Sequence, residues 1–457
     1  MMGSRRRLVL CVWLTAGALL GIGTWVLWFG MNSDGDNVPA IVNQLIPAGH
    51  CACKSATIFH CAECLHCPSD VAVAGSETRP YDVARDAQNR TLNAAQCQRF
   101  FPGLFEDVRR AKEYWTSRGG VPRETIDQIE LVDGMARAAI VDGQLYVVAT
   151  RAKGEDHRRK IVAVLSALHR ALVSNPEQQP TGATEFVFSI EDRLDDVAGP
   201  DHPLWILARR PAEEAVWLMP DFGYWAWDSG NVDSPIGPYS RVVESIRRKE
   251  NGMSWGDKEA KLVWRGKLSF APKMRRALLE AARGQAWSAV KELDWRTKDH
   301  FMSMEDHCRY QFIAHVEGRS YSASFKYRQA CESVVIAHQL QFIQHHHYLL
   351  VSSGPDQNFV EVQRDFADLP AKMRTLLDDP EFAERIARNS ASTFRDRYLT
   401  PAAEACYWRA LVQGWMDASP ELGGDIVSQG IKEKGVRYES FLLMGSQEML
   451  QFTNDWR

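Results

Sequence analysis

Two periodicities of apolar residues alternate along the first half of the chain, one typical of helices and the other of strands. Apolar residues recur at helical spacing from Phe101 to Tyr114 and again from Ile161 to Leu172. Short apolar runs at 144–148 and 186–190 are typical of buried strands. Because helices and strands that alternate in this way pack as layers, the pattern predicts an α/β lobe.

The second half repeats this alternation as one βαβ unit. The pattern predicts a strand at 312–316, a Gly/Ser turn at 318–322, a helix at 323–331 and a strand at 334–337. The loop that leaves the first strand of such a unit, together with the helix N-terminus, commonly binds phosphate. The serines of this loop are therefore candidate phosphate ligands, with ordinary helix capping as the alternative interpretation.

The first 30 residues have the pattern of a membrane anchor. Three arginines at 5–7 precede an apolar stretch at 8–30, which would rise about 34 Å as a helix and so cross a bilayer core of about 30 Å. Basic residues before the span favour a cytoplasmic tail at 1–7 and a lumenal body. We expect a single-pass type II membrane protein; a cleaved signal peptide, usually with a shorter apolar region, is the alternative.

The segment at 31–95 is typical of a stem, since it is rich in Gly, Pro, Ser, Asp and Cys and lacks sustained periodicity. The spacing of Cys61, Cys64 and Cys67 also suits zinc, but in an oxidising lumen disulfides are the stronger interpretation. Asn89 begins an Asn-Arg-Thr acceptor for N-glycosylation, which agrees with a lumenal body. Because the chain does not end in a Lys-Asp-Glu-Leu signal, we expect residence in the Golgi membrane.

Composition and charge narrow the class of protein. The 457 residues carry 54 Lys+Arg against 58 Asp+Glu, a net charge of −4, and 45% of them are hydrophobic. This composition is that of a globular protein and argues against a dedicated nucleic-acid binder. At this length two lobes are expected, at 96–240 and 241–415, followed by a tail at 416–457 whose helices could pack back on the first lobe.

The body also carries a set of motifs that is specific in combination. They lie at 264–266 (Trp-Arg-Gly), 306–310, 315–327, 354–360, 393–399 and 405–408. Together they resemble the capsule-associated glycosyltransferases of fungi, which belong with the animal protein O-glucosyltransferases in glycosyltransferase family 90. The resemblance covers roughly residues 51 to 415.

This resemblance implies a GT-B fold, in which two Rossmann-like lobes face each other across a cleft. It implies inverting transfer from a nucleotide sugar, with 96–240 as the acceptor-side lobe and 241–415 as the nucleotide-sugar lobe, and no metal or other cofactor. The sequence agrees on the metal, because its only Asp-x-Asp motif is at 34–36, beside the predicted span. The adjacent histidines at 345–347 are poorly spaced for ligation, so a loop after the second strand is the better interpretation.

An inverting transferase needs a base that takes the proton of the acceptor hydroxyl. We expect Asp192 in this role, because it follows the strand at 186–190 and the family's catalytic aspartate has a comparable setting. Glu191 is the alternative within one residue. A solvated charged loop at 191–196 without a catalytic role is the other interpretation.

For the donor diphosphate we expect Arg265 and Lys326. Arg265 follows a short apolar strand, so its guanidinium can reach two phosphate oxygens. Lys326 stands where the animal relatives carry arginine and would act as a point charge. The further donor-site candidates, of which the arginines and Ser269 could equally be surface groups, are Gly266, Ser269, Gly318, Arg319, Ser322, Ser324 and Arg328.

For the acceptor, the candidates are Trp225 and Trp227 in the aromatic segment 220–227. Flat aromatic faces pack against sugar rings without demanding particular hydrogen bonds. The same side chains could equally fill a core between the lobes.

The resemblance also suggests two disulfides. Cys308 would pair with Cys331 and brace the βαβ unit. Cys406 would pair with a stem cysteine, most plausibly Cys51, and tie the end of the chain to its beginning.

The sequence therefore predicts a Golgi glycosyltransferase that moves xylose or glucose from UDP-xylose or UDP-glucose to a glycan or glycoprotein acceptor. A catalytically silent, membrane-tethered carbohydrate-binding protein on the same fold is the main alternative. A cysteine-rich adaptor would explain the stem but not the body.

Overall fold

The computed structural model describes residues 79–175, 179–199, 201–227, 236–294 and 297–452. The chain divides into one unit at 1–79 and another at 80–457, and all described residues except Arg79 belong to the second. The predicted cytoplasmic tail, the anchor and most of the stem lie outside the described residues. Within the described part of the chain, none of the helices combines the length and apolar character that a membrane span requires.

The first lobe is built on a six-stranded sheet in the order β11-β2-β1-β3-β4-β5, in which the edge strand β11 (Val436–Arg437) comes from the tail of the chain. Strand β1 is antiparallel to both β2 and β3, whereas β3, β4 and β5 are parallel. The resemblance implies a Rossmann-like lobe, whose sheet is mostly parallel, and the antiparallel hairpin of β1 and β2 departs from that pattern. The elements up to β5 are α1 (Val83–Asp86), α2 (Ala94–Phe100), α3 (Glu106–Thr116), α4 (Arg123–Asp127), β1 (Met135–Val141), β2 (Gln144–Arg151), α5 (Glu155–Val173), β3 (Ala183–Ser189), β4 (Trp205–Ile206) and β5 (Trp217–Leu218).

The predicted elements of this lobe are present with shifted ends. The two predicted strands fall in β2 and β3, and the second predicted helix falls in α5. The first predicted helix begins later than expected, at Glu106, because a turn interrupts its start. Gly103 in that turn has φ 81°, a conformation that glycine adopts without steric cost.

The second lobe is a five-stranded parallel sheet in the order β10-β9-β8-β6-β7. The predicted βαβ unit is β8-α8-β9, but its helix has only five residues instead of nine. The elements are α6 (Tyr239–Glu250), β6 (Glu259–Gly266), α7 (Pro272–Ala281), β7 (Ser288–Glu292), β8 (Tyr310–His315), α8 (Phe325–Gln329), β9 (Val334–His338), β10 (Val360–Val362), α9 (Leu369–Asp378) and α10 (Pro380–Thr393).

After a π-helical turn at Phe394–Tyr398, the chain crosses back to the first lobe. Helix α11 packs against α3 and α5 and places Trp408 and Trp415 around Trp205 in the core. In the tail that follows, β11 adds a strand to the edge of β2. These elements are α11 (Pro401–Ala418), α12 (Asp425–Lys434), β11 (Val436–Arg437), α13 (Tyr438–Phe441) and α14 (Ser446–Leu450).

The described residues contain two disulfides, one between cysteines 309 residues apart and one between cysteines 23 residues apart. Cys308 and Cys331 are paired, which confirms the expected brace of the βαβ unit. Cys406 pairs with Cys97, not with Cys51, so the second expected pairing is wrong. The reason is that α2 packs against α11 and brings the Cα atoms of Cys97 and Cys406 to 5.6 Å.

Candidate functional site

Asp192 stands just beyond the carboxyl end of β3. Its side chain is exposed to solvent, and its carboxylate has no hydrogen-bond or ion-pair partner among the described residues. Desolvation by the surrounding protein nevertheless raises its pKa, while the charges of Lys160 and Arg319 act in the opposite direction. The carboxylate of Asp192 is thus accessible to solvent and carries a raised pKa.

Glu191 has a different environment from its neighbour. Its Oε1 atom lies 3.3 Å from Nε2 of His157, and its side chain packs against Gly134 at the start of β1. Burial raises the pKa of Glu191, and His157 opposes that shift. Of the two adjacent carboxylates, Asp192 is therefore the one without a partner in the described structure.

Arg275 is a buried cation in the first turns of α7, just after β6. Its Nε donates to the carbonyl oxygen of Glu317 at 3.2 Å, and its Nη1 donates to the carbonyl oxygen of Lys267. Burial lowers the pKa of Arg275 to about 10. No carboxylate of the described residues forms an ion pair with this guanidinium, so its positive charge is not balanced.

Arg328 is a second buried cation, on α8. Its Nη1 lies 3.1 Å from Nδ1 of His315 at the end of β8, and no described carboxylate pairs with it. Burial lowers its pKa to about 9, and the nearby positive charge of Arg275 contributes. Two like charges held close together without a carboxylate are costly unless an anion joins them.

Arg265 at the end of β6 is the third cation of this region, and its charge and that of Arg328 both help to lower the pKa of His307 after burial has lowered it most. Its Nη1 donates to the carbonyl oxygens of Trp264, at 2.8 Å, and Ala289, and its buried Nε has no hydrogen-bond partner. Burial lowers its pKa. We call Arg265, Arg275 and Arg328 the arginine cluster; it lies at the carboxyl ends of the parallel strands β6 and β8, where sheets of this type bind anionic ligands.

Lys326 lies in a different setting from the one expected. Its ammonium is enclosed, with Nζ at 2.8 Å from both carboxylate oxygens of Asp221 and 2.9 Å from the carbonyl oxygen of Ala323. Burial lowers its pKa, and Asp221 opposes that shift. Asp221 of the first lobe therefore balances the charge of Lys326 in this structure, and contact of Lys326 with a diphosphate stays a prediction.

The remaining donor-site candidates lie in the loops after β6 and β8. Arg328 is buried and so is not the surface group that it could have been, whereas Arg319 and Ser269 are exposed. At Gly266, a Cβ atom would lie 2.4 Å from the Trp264 ring, so no other residue fits there without a shift. Gly318 borders Arg275, and the hydroxyls of Ser322 and Ser324 hydrogen-bond each other at 3.0 Å.

The two acceptor-site candidates are half-buried. The guanidinium of Arg170 lies 4.6 Å from the ring centroid of Trp225. Trp227 stacks on Tyr327 with 6.1 Å between ring centroids. Each ring thus packs against protein on one side and keeps part of its surface accessible, which is compatible with both interpretations made from the sequence.

The histidines at 345–347 lie after β9 as expected, with the first two buried and the third half-buried. Nε2 of His346 lies 3.1 Å from Oε1 of Gln329. Among the residues that the structure describes, no group of three or more His, Cys, Asp or Glu side chains is arranged to hold a metal ion.

Arg275 is the residue that the sequence analysis missed. It follows Lys273 and precedes Arg276, so composition alone does not distinguish it from exposed neighbours. A usable signal was its position three residues before Leu278 and seven before Ala282, on the buried face of α7. A charged residue on that face points inward, and buried charges of this kind have a partner or a ligand.

The chain is similar in sequence to protein O-glucosyltransferases of animals. The chain is 26% identical over 171 residues to Protein O-glucosyltransferase 3 of Rattus norvegicus, covering 35% of the chain and 32% of the relative. It is 20% identical over 321 residues to Protein O-glucosyltransferase 1 of Mus musculus, covering 65% of the chain and 75% of the relative. The chain thus spans about a third of the first relative and three quarters of the second.

A structure of Anabaena Alr3699/HepE in complex with UDP and glucose matches 44% of this chain and 60% of that one, at 13% identity and a TM-score of 0.27. The sequence model of glycosyl transferase family 90 matches residues 92–418. Because that match covers well over half of the chain, the resemblance found in the sequence is confirmed, and the chain belongs to glycosyl transferase family 90.

Proposed function

We propose that this chain transfers xylose or glucose from a UDP-sugar to a glycan or glycoprotein acceptor, with inversion at the sugar and without a metal ion. The observation that carries the donor assignment is the arginine cluster. Its three guanidiniums lack described carboxylate partners at the strand ends where α/β sheets bind nucleotides. A diphosphate supplies the negative charge that this region lacks, and guanidinium forks suit phosphate oxygens.

The reaction then needs one base and one leaving-group site. The acceptor oxygen forms a bond to C1 of the sugar as the bond from C1 to the UDP oxygen breaks, and that electron pair leaves with UDP. The carboxylate of Asp192 takes the acceptor's proton, as general-base catalysis requires. The guanidiniums of the arginine cluster stabilise the charge that develops on the departing diphosphate, a task for which other transferases use a metal.

Two residues keep the roles expected from the sequence, and one does not. Asp192 is supported by its unpaired, solvent-accessible carboxylate, and Arg265 by its unpartnered Nε. Lys326 would have to leave Asp221 before it could contact a diphosphate, so we assign its role to Arg275 and Arg328. Trp225 and Trp227 remain our candidates for packing against an acceptor sugar.

We further propose a GT-B arrangement of the two lobes, residence in the Golgi membrane and a lumenal body. The two disulfides of the body suit an oxidising compartment. The charge and apolar pattern at 1–30 supports the type II anchor. The name O-glucosyltransferase of the relatives supports glucose, and xylose differs from it by one hydroxymethyl group.

The alternative is a silent carbohydrate-binding protein on the same fold. The ion pair of Lys326 with Asp221 favours it, because the resemblance implied a cation free for the donor at this position. Both hypotheses predict sugar binding, but only the enzyme requires Asp192 for chemistry.

Release of UDP from a panel of UDP-sugars, with and without chelator, tests the proposal on the full-length chain in detergent. Asp195→Asn is the matched control for Asp192→Asn, because Asp195 is exposed three residues away and paired with Arg210. We expect release from UDP-xylose or UDP-glucose that survives the chelator, persists in the control and is lost in Asp192→Asn. Binding of UDP without release from any donor, even with candidate glycans, would establish the silent protein instead.

A further inference from the structure

Phe270 is a large apolar side chain that the fold leaves uncovered. It ends the short 3-10 turn at Leu268–Phe270, directly after β6. Its exposed fraction is 45%, whereas Trp264 in the adjoining strand is 1% exposed. Single exposed apolar residues are common on protein surfaces, so exposure alone does not indicate a binding role for Phe270. Its neighbours do.

Those surroundings are cationic and belong to the donor site proposed above. The guanidinium carbon of Arg275 lies 5.6 Å from the centroid of the Phe270 ring, and Nζ of Lys267 lies 5.7 Å from it. Gly318 lies in the loop after β8, and a Cβ atom added to it would be 3.8 Å from the Cβ of Phe270. The ring therefore stands between the loops that leave β6 and β8, at the border of the arginine cluster.

We propose that Phe270 is the surface on which the nucleobase of the donor stacks. This inference rests on the proposed function, since it assumes that the arginine cluster binds the diphosphate of a nucleoside diphosphate sugar. The base is the flat, uncharged part of such a donor, and the ribose connects it to the diphosphate. An accessible phenyl ring beside the phosphate-binding cations offers the base a π face, and base stacking on aromatic side chains stabilises binding without demanding specific hydrogen bonds.

The neighbouring groups explain why the base is a better occupant than the acceptor. The aromatic candidates for the acceptor, Trp225 and Trp227, lie in the first lobe, whereas Phe270 and Arg275 belong to consecutive elements of the second. Lys267, which is exposed, can approach the phosphate next to the ribose while its stem passes the ring. One short segment, 264–275, would thus supply both the stacking surface and part of the charge for the donor.

Calorimetric titration of the full-length chain tests this inference with two probes, UDP and inorganic diphosphate, because only UDP carries a base. The variants are Phe270→Ala, Phe270→Leu and Phe270→Tyr, with Phe301→Ala as the control, since Phe301 is also 45% exposed and lies outside the loops after β6 and β8. We expect Phe270→Ala and Phe270→Leu to weaken UDP binding about tenfold or more, as loss of one stacked base does. Phe270→Tyr and the control should bind UDP as the unaltered chain does, and diphosphate affinity should be the same in all variants.

Two results would overturn the inference while leaving the proposed donor site intact. One is UDP affinity unchanged by Phe270→Ala in a chain that binds UDP. The other is an equal loss of UDP and diphosphate binding in Phe270→Ala and Phe270→Leu, which would make Phe270 a support for the cations. If the unaltered chain binds neither UDP nor diphosphate, the donor assignment fails together with this inference.

Discussion

Replacing Arg328 with methionine should make the free protein more stable and at the same time weaken its binding of UDP. Arg328 is 6% exposed and has no carboxylate partner among the described residues. Its positive charge lies close to that of Arg275, which repels it. Methionine is unbranched and fills a similar volume without a charge. Stability and ligand binding therefore respond in opposite directions at this position.

The size of the stability change follows from the pKa of Arg328. Burial lowers this pKa to about 9, and at about 1.4 kcal/mol per pKa unit the difference from an ordinary arginine is about 5 kcal/mol against the charged form. Since the unfolded chain binds the proton more tightly, this cost is fully present below pH 9 and declines as pH rises above it. Loss of the hydrogen bond to His315 offsets about 1–3 kcal/mol, which leaves a net gain of about 2–4 kcal/mol at neutral pH.

Thermal unfolding with and without UDP measures both effects. For a body of this size a gain of about 2–4 kcal/mol raises Tm by about 3–5 °C, and UDP should then raise the Tm of Arg328→Met much less than that of the unaltered chain. Arg388→Met is the control, because Arg388 is exposed on α10. A lower Tm for Arg328→Met together with an undiminished response to UDP would refute the assignment of Arg328 to an anion site.

Three further outcomes are expected. Because burial raises the pKa of Asp192 and the base must be ionised, the acid limb of kcat/KM in a pH–rate profile should lie above the ordinary aspartate range and disappear in Asp192→Asn. Asp221→Asn should destabilise the fold by about 3–5 kcal/mol in denaturant titrations, since it leaves the charge of Lys326 buried and unpaired, and adding Lys326→Met should restore most of the loss. Replacing Cys97 and Cys406 together with serine should lower the free energy of unfolding by about 2–5 kcal/mol. In denaturant titrations, a reductant should then shift the unfolding midpoint of this variant less than that of the unaltered chain.

Local patterns predicted the elements that dominate the two lobes. A local pattern of apolar residues marks the helix α5 and the strands β2, β3, β8 and β9, and the structure contains all of them. The two-residue strands β4 and β5 carry no such signal, because only pairing with β3 and with each other makes them strands. The antiparallel pairing of β1 with β2 and β3 was likewise not contained in the expectation of a Rossmann-like lobe.

Long-range contacts set the environment of the candidate site residues, and the sequence alone does not show these contacts. Glu191 and Asp192 are neighbours in the chain, and only the position of His157 distinguishes them. The charge of Lys326 is balanced by Asp221, 105 residues away, a distance at which no motif reveals a partner. Arg275 is buried and Arg276 exposed, because α7 turns one face toward the sheet.

The proposed sugar transfer requires that UDP binds at the arginine cluster, and isothermal titration with UDP measures this binding directly. Arg275→Gln and Arg276→Gln form a matched pair, since the two residues are adjacent on α7 and differ in burial. We predict that Arg275→Gln weakens UDP binding by about tenfold or more, as loss of charge-assisted hydrogen bonds does, while Arg276→Gln leaves the affinity unchanged. Equal affinities for the two variants, or no binding of UDP by the unaltered chain, would contradict the proposed donor site.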